Sequence, residues 1–431
     1  MRPACWSTRL RDDELSGARR SAWRDQSPEK FVAVEYRNQH ARRMRYPKDS
    51  IAAGTMADGV RPSITPLAGV TAPGYNFRME REVELLVEDI AFGGKGVGRV
   101  EGKAIFVPLT IESERITARI TREKKSFAEA ELVRVKEASP QRVEPACPYF
   151  GRCGGCAYQH MNYAHQLHWK QRQVAQALQR IGKFQEPPLQ PIVPSPNEYG
   201  YRNRITVHVE GGIVGFFRRD VHRLIDIERC PISAPQVNEE LAALRARRPR
   251  DGHYTLRARS GPRVFSQTND AVAEKLAEAI AALIPPEQTL LIDAYCGAGF
   301  FAKRLLGKFT RTIGLDWDVH AIAAAEADAA PNEIYHAGDL AAQLARELAQ
   351  ADPCLTTVIV DPPATGLGSD VRKILRAHPV ATLLYVSCNP PTLARDLADL
   401  GSAFSLRSVT PFDMFPQTAE IEVLAHLIRT R

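Results

Sequence analysis

The spacing of hydrophobic positions changes along the chain and divides it into segments. Up to about residue 75 no apolar period is sustained, and Arg, Pro, Ser and Gly are mixed. From residue 80 onward Val83, Leu85 and Val87 alternate with charged residues, which is the two-residue period of a half-buried strand. Further short strands follow at about ten-residue spacing. We therefore expect a small β-barrel of the OB type over residues 78–138.

Residues 1–75 lack the pattern of a folded core. We expect a disordered extension there, or a start codon assigned too far upstream, in which case Met56 or Met79 is the first residue. This stretch carries no part of the functional interpretation.

The central segment, residues 140–265, combines helices with strands. One face of a helix that is predicted to end at Gly182 carries Leu167, Val174, Leu178 and Ile181. Prolines between residues 187 and 196 form a linker, and strands surround a glycine hairpin at residues 211–212. The segment is predicted to be a small mixed domain.

From Thr289 onward short apolar runs alternate with helix-compatible stretches. Such alternation is typical of a parallel sheet with helices on both faces, an α/β doubly wound or Rossmann-like fold. The last two apolar stretches, near residues 404–409 and 421–428, leave little room for a helix between them and predict an antiparallel pair. We place this α/β domain at residues 266–431.

Composition narrows the class of protein. The chain has 431 residues, of which 44% are hydrophobic and 25% charged, values typical of a soluble protein with more than one domain. It contains no run of about 18 apolar residues and no secretory signal, so we expect a cytoplasmic protein without a membrane segment. A formal net charge of +7 and a pI near 9.0 suit a polyanionic partner.

A glycine turn follows the first strand of the α/β domain. That strand ends in Asp293, and Gly297 and Gly299 follow where a ligand can approach the backbone and the start of the next helix. Asp316 ends the next strand, 19 residues beyond Gly297, and an acid there can bind the two hydroxyls of a ribose. Dinucleotide-binding proteins have a third glycine, but Ala302 stands in its place. The turn therefore favours S-adenosylmethionine as the ligand.

Two further acids follow strands of the same sheet. Asp339 either binds the amino group of an adenine or caps the helix over residues 340–350. Asp361 is followed by Pro362 and Pro363, a stiff turn that either clamps a flat base or sugar or only ends a strand. The residues alone leave both alternatives open.

Cys388 lies where the fifth strand of the sheet meets the start of a helix. This position exposes a thiol at the cofactor edge, and the helix start is expected to lower the pKa of the thiol. A thiol near a methyl donor suits carbon 5 of a pyrimidine, which is a poor nucleophile until carbon 6 has been attacked. A buried structural cysteine is the alternative, and the order of the strands argues against it.

Methylation at carbon 5 also requires a base that removes the carbon-5 hydrogen before the thiol can leave. Glu422 begins an apolar strand, where a carboxylate is costly without a purpose or a partner. Glu420 lies on the same face of that strand by the two-residue period and is the competing candidate.

Three of the eight cysteines, Cys147, Cys153 and Cys156, lie within ten residues, and Cys230 follows at a distance. Structural disulfides are not expected without a secretory signal, so the group indicates a metal or redox site. The spacing suits a [4Fe–4S] cluster, although four thiolates can also form a closed zinc site. Structural zinc usually uses two C-x2-C pairs, and iron–sulfur is favoured here.

Taken together, these features resemble the RNA uracil-C5 methyltransferase family, which includes bacterial rRNA and tRNA 5-methyluridine enzymes. The resemblance covers about residues 78–431 and rests on the barrel, the cysteines and four motifs. It implies an N-terminal TRAM barrel that binds RNA, a central domain with the [4Fe–4S] cluster, and a C-terminal class I methyltransferase that uses S-adenosylmethionine. The motifs are Phe265-Ser266-Gln267-Thr268-Asn269, Asp293-Ala294-Tyr295-Cys296-Gly297, Ser387-Cys388-Asn389-Pro390 and Met414-Phe415-Pro416.

The resemblance also implies residue roles, with Cys388 as the nucleophile and Glu422 as the base. The S-adenosylmethionine contacts would be Gln267, Tyr295, Phe300, Asp316, Asp339 and Asp361. The cluster ligands would be Cys147, Cys153, Cys156 and Cys230. Two positions depart from the family pattern, because Ala364 stands where an arginine is usual and Phe300 where some relatives have a polar asparagine.

The expected function is methylation of carbon 5 of a uridine in RNA by a monomer, with rRNA favoured over tRNA and with no DNA or membrane partner. A cytosine-C5 methyltransferase usually has proline before its nucleophile, whereas Ser387 precedes Cys388. A non-catalytic RNA-binding homologue is supported only by Ala364. The cofactor motifs argue against an iron–sulfur redox sensor.

Overall fold

The computed structural model describes residues 81–258 and 267–430, so the expectations for residues 1–75 lie outside this range. The first five strands are β1 (Glu82–Ile90), β2 (Lys95–Val100), β3 (Lys103–Pro108), β4 (Arg115–Glu123) and β5 (Phe127–Glu137). They form a closed barrel in the order β1-β2-β3-β5-β4. Val83, Leu85 and Val87 are buried in its core, as their alternation with charged residues predicts. The expected OB-like barrel is confirmed.

Helix α1 (Tyr163–Arg180) belongs to the central segment in sequence but packs in the core of the C-terminal domain. Asn162 caps its start by accepting a hydrogen bond from the backbone N–H of His165, and the helix ends before Gly182. Val174 and Leu178 are buried together with residues of the C-terminal sheet. Ile181, predicted on the same face, lies after the last turn and is exposed, so the prediction for that residue is wrong. The sequence otherwise predicts the helix but not the domain to which its apolar face belongs.

The rest of the central segment forms a four-stranded antiparallel sheet with one helix on one face. Its elements are β6 (Arg204–Glu210), β7 (Ile213–Phe217), β8 (Leu224–Asp226), α2 (Pro235–Ala246) and β9 (Gly252–Arg257). The strand order is β8-β7-β6-β9. Val237, Leu241 and Leu244 of α2 pack against Val207 and Val214 of the sheet. The opposite face carries polar and aromatic side chains.

A seven-stranded sheet forms the C-terminal domain. Its strands are β10 (Leu290–Ala294), β11 (Arg311–Asp316), β12 (Glu333–Ala337), β13 (Thr356–Val360), β14 (Thr382–Ser387), β15 (Phe404–Phe412) and β16 (Glu422–Arg429). Their order is β12-β11-β10-β13-β14-β16-β15, and neighbours among the first five are parallel. Strand β16 is antiparallel to both β14 and β15, which confirms the predicted terminal pair.

Helices cover both faces of this sheet, so its strands are almost wholly apolar. The helices are α3 (Asp270–Leu283), α4 (Phe300–Leu305), α5 (Val319–Glu326), α6 (Leu340–Gln350), α7 (Ser369–Ala377) and α8 (Pro390–Leu400), with a short 3-10 helix at Leu306–Lys308. The doubly wound α/β fold expected from the alternation is confirmed. None of the helices in the described part of the chain is long and apolar enough to cross a bilayer.

The proline-rich stretch predicted as a linker is bound to the edge of this sheet. Leu189 and Val193 form isolated parallel bridges with Val409 and Phe412 of β15. The backbone N–H of Val193 donates to the carbonyl of Pro411 at 2.8 Å. The stretch therefore covers part of an edge strand that would otherwise be unpaired.

A buried ion pair joins α1 to the segment before β16. Lys170 and Asp413 are both fully buried, and Nζ of Lys170 lies 2.6 Å from a carboxylate oxygen of Asp413. Lys170 also donates a hydrogen bond to the carbonyl of Phe415 at 2.9 Å. A buried charge that loses its partner is strongly destabilising, because no water replaces the lost contact. The pair therefore fixes the start of this segment against α1.

We expect Lys170→Met to destabilise the fold by roughly 3–5 kcal/mol, because it leaves the Asp413 carboxylate buried without its cation. Thermal unfolding followed by circular dichroism should show a clearly lower midpoint. The matched control is Lys373→Met, which breaks an ion pair with Asp370 whose side chains are 67% and 73% exposed and whose loss costs less than about 1 kcal/mol. Equal midpoints for the two variants would contradict the role of the buried pair.

Candidate active site

The carboxyl ends of the parallel strands meet at one edge of the C-terminal sheet, and the candidate residues follow these ends. After β10 the chain turns through Tyr295, Gly297 and Gly299, whose φ angles are 67°, 54° and 79°. A Cβ atom at Gly297 would have no heavy atom within 4 Å, so space is open beside the backbone. Asp316, at the end of β11, accepts a hydrogen bond from the Gly297 N–H at 2.8 Å. The acid that the sequence places 19 residues beyond Gly297 therefore braces the turn.

Asp339 lies next to this acid and caps a helix. Its carboxylate accepts a hydrogen bond from the backbone N–H of Ala342 at 2.8 Å, at the start of α6. The neighbouring Gly338 donates its N–H to the carbonyl of Asp316 at 2.9 Å. The helix-capping alternative is thus observed, and the residue also lies at the strand end where a cofactor contact was expected.

Gln267 and Asp361 lie on the other side of the turn. The side-chain amide of Gln267 donates to Oδ2 of Asp361 at 3.4 Å, and the Asp361 N–H donates to the last carbonyl of β10 at 3.3 Å. Phe300 is the first residue of α4 and is half-buried. Phe265 and Ser266, which begin the motif that contains Gln267, lie outside the described residues.

Cys388 follows β14 directly, and Asn389 caps the start of α8. Burial raises the pKa of the Cys388 thiol, and the neighbouring carboxylates of Glu422, Asp361 and Glu420 raise it further. The expected lowering of this pKa by the helix start is therefore wrong. One helix N-terminus is outweighed by desolvation and three acids, each of which disfavours the thiolate. The same result places Cys388 within electrostatic reach of both candidate bases.

Of these carboxyl groups, that of Glu422 is buried and that of Asp361 is half-buried. Burial raises the pKa of Asp361 to about 7. Burial and the neighbouring Asp361 together raise the pKa of Glu422 well above its usual range. Glu422 is only 4% exposed, and its Oε1 has no hydrogen-bond partner among the residues that the structure describes. A carboxylate in such surroundings binds a proton strongly, which makes it a stronger base than an exposed glutamate.

A buried acid that the sequence analysis did not identify holds the double-proline turn. Asp396 of α8 is fully buried, and its Oδ2 accepts hydrogen bonds from the Leu367 N–H and the Tyr385 hydroxyl, both at 2.8 Å. Thr392 donates to the carbonyl of Ala364 at 3.2 Å. The position that departs from the family pattern therefore lies in a turn that is fixed through its backbone. The available signal was an acid on the buried face of an amphipathic helix, which requires a partner.

The segment that precedes β16 is fixed by contacts with two other regions. The side-chain amide of Gln166 on α1 donates to the side chain of Gln417 at 2.9 Å, and its oxygen accepts the Gln417 backbone N–H at 3.0 Å. The Gln417 carbonyl accepts hydrogen bonds from the backbone N–H groups of residues 157 and 158 at 3.1 and 3.0 Å. These two residues directly follow the clustered cysteines. Backbone hydrogen bonds therefore join the segment that leads to Glu422 to the segment that carries the clustered cysteines.

Four cysteines line one cavity of about 380 Å³. They are Cys147, Cys153, Cys156 and Cys230, the four predicted ligands. Burial raises the pKa of the first three thiols, that of Cys156 to about 12, and charges on neighbouring thiols raise them further. Within residues 81–258 and 267–430 no group of three or more His, Cys, Asp or Glu side chains is arranged to hold a metal ion. The thiols thus surround a shared space without forming a single-ion site.

The parallel sheet, the positive-φ turn after its first strand, the acid after the next strand and the antiparallel last strand define a class I methyltransferase fold. Comparison with known sequences identifies the family. The family described as tRNA (uracil-5-)-methyltransferase matches residues 248–430, and the TRAM domain matches residues 79–133. An uncharacterized RNA methyltransferase of Protochlamydia amoebophila is 31% identical, covering 80% of this chain and 97% of the relative. A 23S rRNA (uracil(1939)-C(5))-methyltransferase of Acidithiobacillus ferrooxidans is 29% identical, covering 79% and 96%.

The fold is shared with a solved structure. The Pyrococcus abyssi tRNA (uracil-54, C5)-methyltransferase in complex with S-adenosyl-L-homocysteine is similar with a TM-score of 0.62, 23% identity, and coverage of 80% of this chain and 99% of that chain. The chain belongs to the RNA uracil-5 methyltransferase family, whose members are S-adenosylmethionine-dependent enzymes. The family, the TRAM domain and the methyltransferase fold inferred from the sequence motifs are confirmed.

The raised pKa of Cys388 predicts slow alkylation of this residue in the RNA-free enzyme. The thiolate is the reactive form, so each unit of increase in pKa lowers the labelling rate at neutral pH about tenfold. We expect iodoacetamide to label Cys388 at least about tenfold more slowly than glutathione, with a rate that still rises beyond about pH 9. Mass spectrometry of the peptide that contains Cys388 measures this rate. A rate that reaches its plateau below about pH 8 would indicate a lowered pKa instead.

Proposed function

We propose that this enzyme methylates carbon 5 of a uridine in RNA through a covalent bond between Cys388 and carbon 6, with 23S rRNA favoured over tRNA. The observation that carries the proposal is the grouping of Cys388 with Asp361 and the buried Glu422 at one edge of the sheet. The relative from Acidithiobacillus ferrooxidans supports rRNA, since its name specifies 23S rRNA. The Pyrococcus abyssi enzyme is named for tRNA, so tRNA is the alternative substrate.

Cys388 supplies the nucleophile. Its thiol gives up a proton, and a sulfur electron pair forms the bond to carbon 6 of the uracil. The electron pair of the carbon 5–carbon 6 double bond then moves into an enolate, which gives carbon 5 the nucleophilicity that it otherwise lacks. Because the pKa of Cys388 is raised, the thiol proton needs a nearby acceptor. Asp361 and Glu422 are the two acids that act on this thiol most strongly, and we assign the thiol proton to Asp361, so that Glu422 stays unprotonated for the later step.

Glu422 serves as the base. S-adenosylmethionine supplies the methyl group that carbon 5 receives. Glu422 then removes the hydrogen from carbon 5, the electrons of that bond restore the double bond, and the bond between carbon 6 and Cys388 breaks. The raised pKa of Glu422 suits this step, because a carboxylate that binds protons strongly removes one from carbon more readily. Glu420 is exposed and lines the cysteine cavity, which makes it the weaker candidate.

The cofactor site is proposed around the turn after β10. Each carboxylate oxygen of Asp316 accepts one backbone hydrogen bond, from Gly297 at 2.8 Å and from Asp318 at 2.9 Å. Each oxygen keeps a second lone pair that can accept a ribose hydroxyl. The open space beside Gly297 supports a ligand close to the backbone. The proposed contact residues are Gln267, Tyr295, Phe300, Asp316, Asp339 and Asp361.

We infer that the cysteine cavity holds a [4Fe–4S] cluster. Zinc would need all four sulfurs about 2.3 Å from one point, whereas a cluster places each thiolate on a different corner. The four thiols line one cavity, and their spacing lacks the two C-x2-C pairs that structural zinc usually uses, which supports the second case. The cluster would cross-link residues 147–156 to the stretch that precedes α2. Methyl transfer does not require the cluster to exchange an electron. The ligands would be Cys147, Cys153, Cys156 and Cys230.

The barrel is proposed to bind the RNA backbone, as its TRAM match supports. Part of its positive charge is neutralised within the barrel, since Lys95 pairs with Glu129 and Lys103 pairs with Glu123, both at 2.6 Å. The net positive charge that the barrel offers to RNA is therefore smaller than its number of basic residues indicates.

Glu422→Gln is expected to trap the covalent RNA–protein adduct, because the thiol cannot leave while the carbon-5 hydrogen remains. Cys388→Ala should form no adduct. Denaturing gel electrophoresis after incubation with S-adenosylmethionine and total RNA detects the adduct, and sequencing of the trapped RNA identifies the substrate. The matched control is Glu420→Gln, which should turn over without accumulating an adduct.

Turnover by Glu422→Gln without an adduct would remove Glu422 from the role of base. Recovery of tRNA in place of 23S rRNA from the adduct would decide for the alternative substrate. Methyl transfer by Cys388→Ala would overturn the covalent mechanism.

We expect the anaerobically purified protein to contain iron and acid-labile sulfide in equal amounts and little zinc. Cys230→Ala should lose most of the iron, because it removes a corner ligand. Cys296→Ala is the matched control, since Cys296 is buried in the turn after β10 and does not line the cysteine cavity. Elemental analysis and sulfide determination provide the measurement. One zinc per chain in place of iron would contradict the cluster.

A further inference from the structure

The central four-stranded sheet has one covered face and one open face. Alternate residues of β6, from Ile205 to Val209, are buried in the core under α2, and the residues between them lie on the other face. On this open face β6 and β9 place identical residue types opposite one another. The pairs are Arg204–Arg257, Thr206–Thr255 and His208–His253.

Four aromatic rings form a continuous group on the open face, which we call the ring cluster. In spatial order its members are His253, His208, Phe217 and His222, and the centroids of successive rings lie 4.6, 4.4 and 4.0 Å apart. The planes of Phe217 and His222 differ by only 21°, which is a stacked arrangement. His253 and His222, at the two ends, are exposed. The cluster therefore presents ring surface to solvent and not to a hydrophobic core.

Positive charge lies on the same face as the ring cluster. Burial lowers the pKa of Arg204, and the charges of Arg257 and Arg202 lower it further, so these guanidinium groups lie close enough to repel one another. The register of β6 and β9 therefore puts two guanidinium groups opposite one another on this face. Guanidinium groups bind phosphate with particular geometric fit.

The open face begins next to the candidate active site. Asn203, the residue before β6, donates from its side chain to the carbonyl of Gln267 at 2.8 Å, and Gln267 in turn contacts Asp361. Strand β6 runs away from this contact, and His208 lies about 13 Å beyond Arg204 along the strand. An RNA strand with its uridine at Cys388, which lies beside Asp361, would therefore meet the arginine pair first and the ring cluster next.

We propose that the ring cluster stacks on a base that flanks the target uridine, while the Arg204–Arg257 pair binds the phosphate between them. This inference rests on the proposed function and adds the subsite that holds the neighbouring nucleotides. Four-stranded sheets with aromatic side chains on an open face bind single-stranded RNA in this manner. Stacking tolerates different bases, because every base has a π-face. The ring cluster thus supplies affinity and position, and little sequence selectivity.

Fluorescence anisotropy with short single-stranded RNA tests the ring cluster. The probe is a fluorescein-labelled oligonucleotide with one central uridine, used intact and as a series in which one flanking nucleotide at a time is abasic. The full chain is compared with the double variant His222→Ala and His253→Ala, which changes only exposed rings. We expect the variant to bind intact RNA roughly tenfold more weakly. In the abasic series, the probe that lacks the stacked base should bind the unaltered protein as weakly as the intact probe binds the variant. That probe should bind the unaltered protein and the variant with the same affinity.

Two control variants separate stacking from charge and from folding. The double variant His222→Phe and His253→Phe keeps the ring surface without the imidazole and should restore most of the affinity. His378→Ala removes an exposed histidine that follows α7 on the C-terminal domain, and it should bind like the unaltered protein. Coincident thermal unfolding curves for all of these proteins establish that the comparison concerns binding.

Equal binding of intact RNA by the unaltered protein and the double alanine variant would overturn the proposal, as would failure of the phenylalanine variant to restore affinity. Equal affinity for intact and abasic RNA would overturn it as well, and would indicate a face that reads only phosphate or contacts a protein. The binding measurement does not depend on methyl transfer. If no 5-methyluridine forms, the proposed function is contradicted, and the binding of RNA by the ring cluster is still decided by the anisotropy measurement.

Discussion

The contact between Lys170 and Asp413 determines where the segment before Glu422 lies. Both side chains are removed from water, and each is tolerated only because the other neutralises it at 2.6 Å. Gln166 lies four residues before Lys170, hence on the same face of α1, and exchanges two hydrogen bonds with Gln417. One face of α1 therefore fixes the segment at two points, Asp413 and Gln417. The polar groups at both points are buried, so water cannot replace these contacts. Val174 and Leu178 of α1 are buried in the core of the C-terminal sheet, so helix, segment and sheet form one packed unit.

Burial of acids at the sheet edge has two opposite effects on the proposed chemistry. It raises the pKa of Asp293 to about 8 and that of Asp361 to about 7, and it raises that of Glu422 well above its usual range. A buried carboxylate is a stronger base, but the same surroundings raise the pKa of Cys388 and so disfavour the thiolate. A proton that moves from the thiol to the carboxyl pair leaves the total charge of the site unchanged. The transfer therefore avoids burying an additional charge, which would be the larger cost.

The features predicted correctly from the sequence are those that a few neighbouring residues determine. The strand period of Val83 to Val87, the glycine turn after Asp293 and the position of Cys388 between a strand and a helix can all be read within a few residues. The packing of α1 could not be read in this way, because an apolar helix face does not specify which core it enters. Asp396 was missed since its partners, Leu367 and Tyr385, belong to other elements. The raised pKa of Cys388 likewise depends on acids from two separate strand ends that only the folded sheet brings together.

The cysteine segment connects the two regions that the proposed reaction has to align. On one side, the N–H groups of Ala157 and Tyr158 donate to the carbonyl of Gln417, in the segment that leads to the candidate base. On the other side, the N–H of Gly154 donates to the carbonyl of Phe217 at 3.1 Å, and Phe217 is the member of the ring cluster that ends β7. Short loops rich in glycine hold such positions poorly by themselves, because glycine loses much backbone entropy on ordering. Four thiolates bound to one rigid group would restrict this loop at several points at once. The value of a cluster in a reaction without electron transfer would then be geometric, since it would hold the segment before Glu422 and strand β7 at a fixed separation.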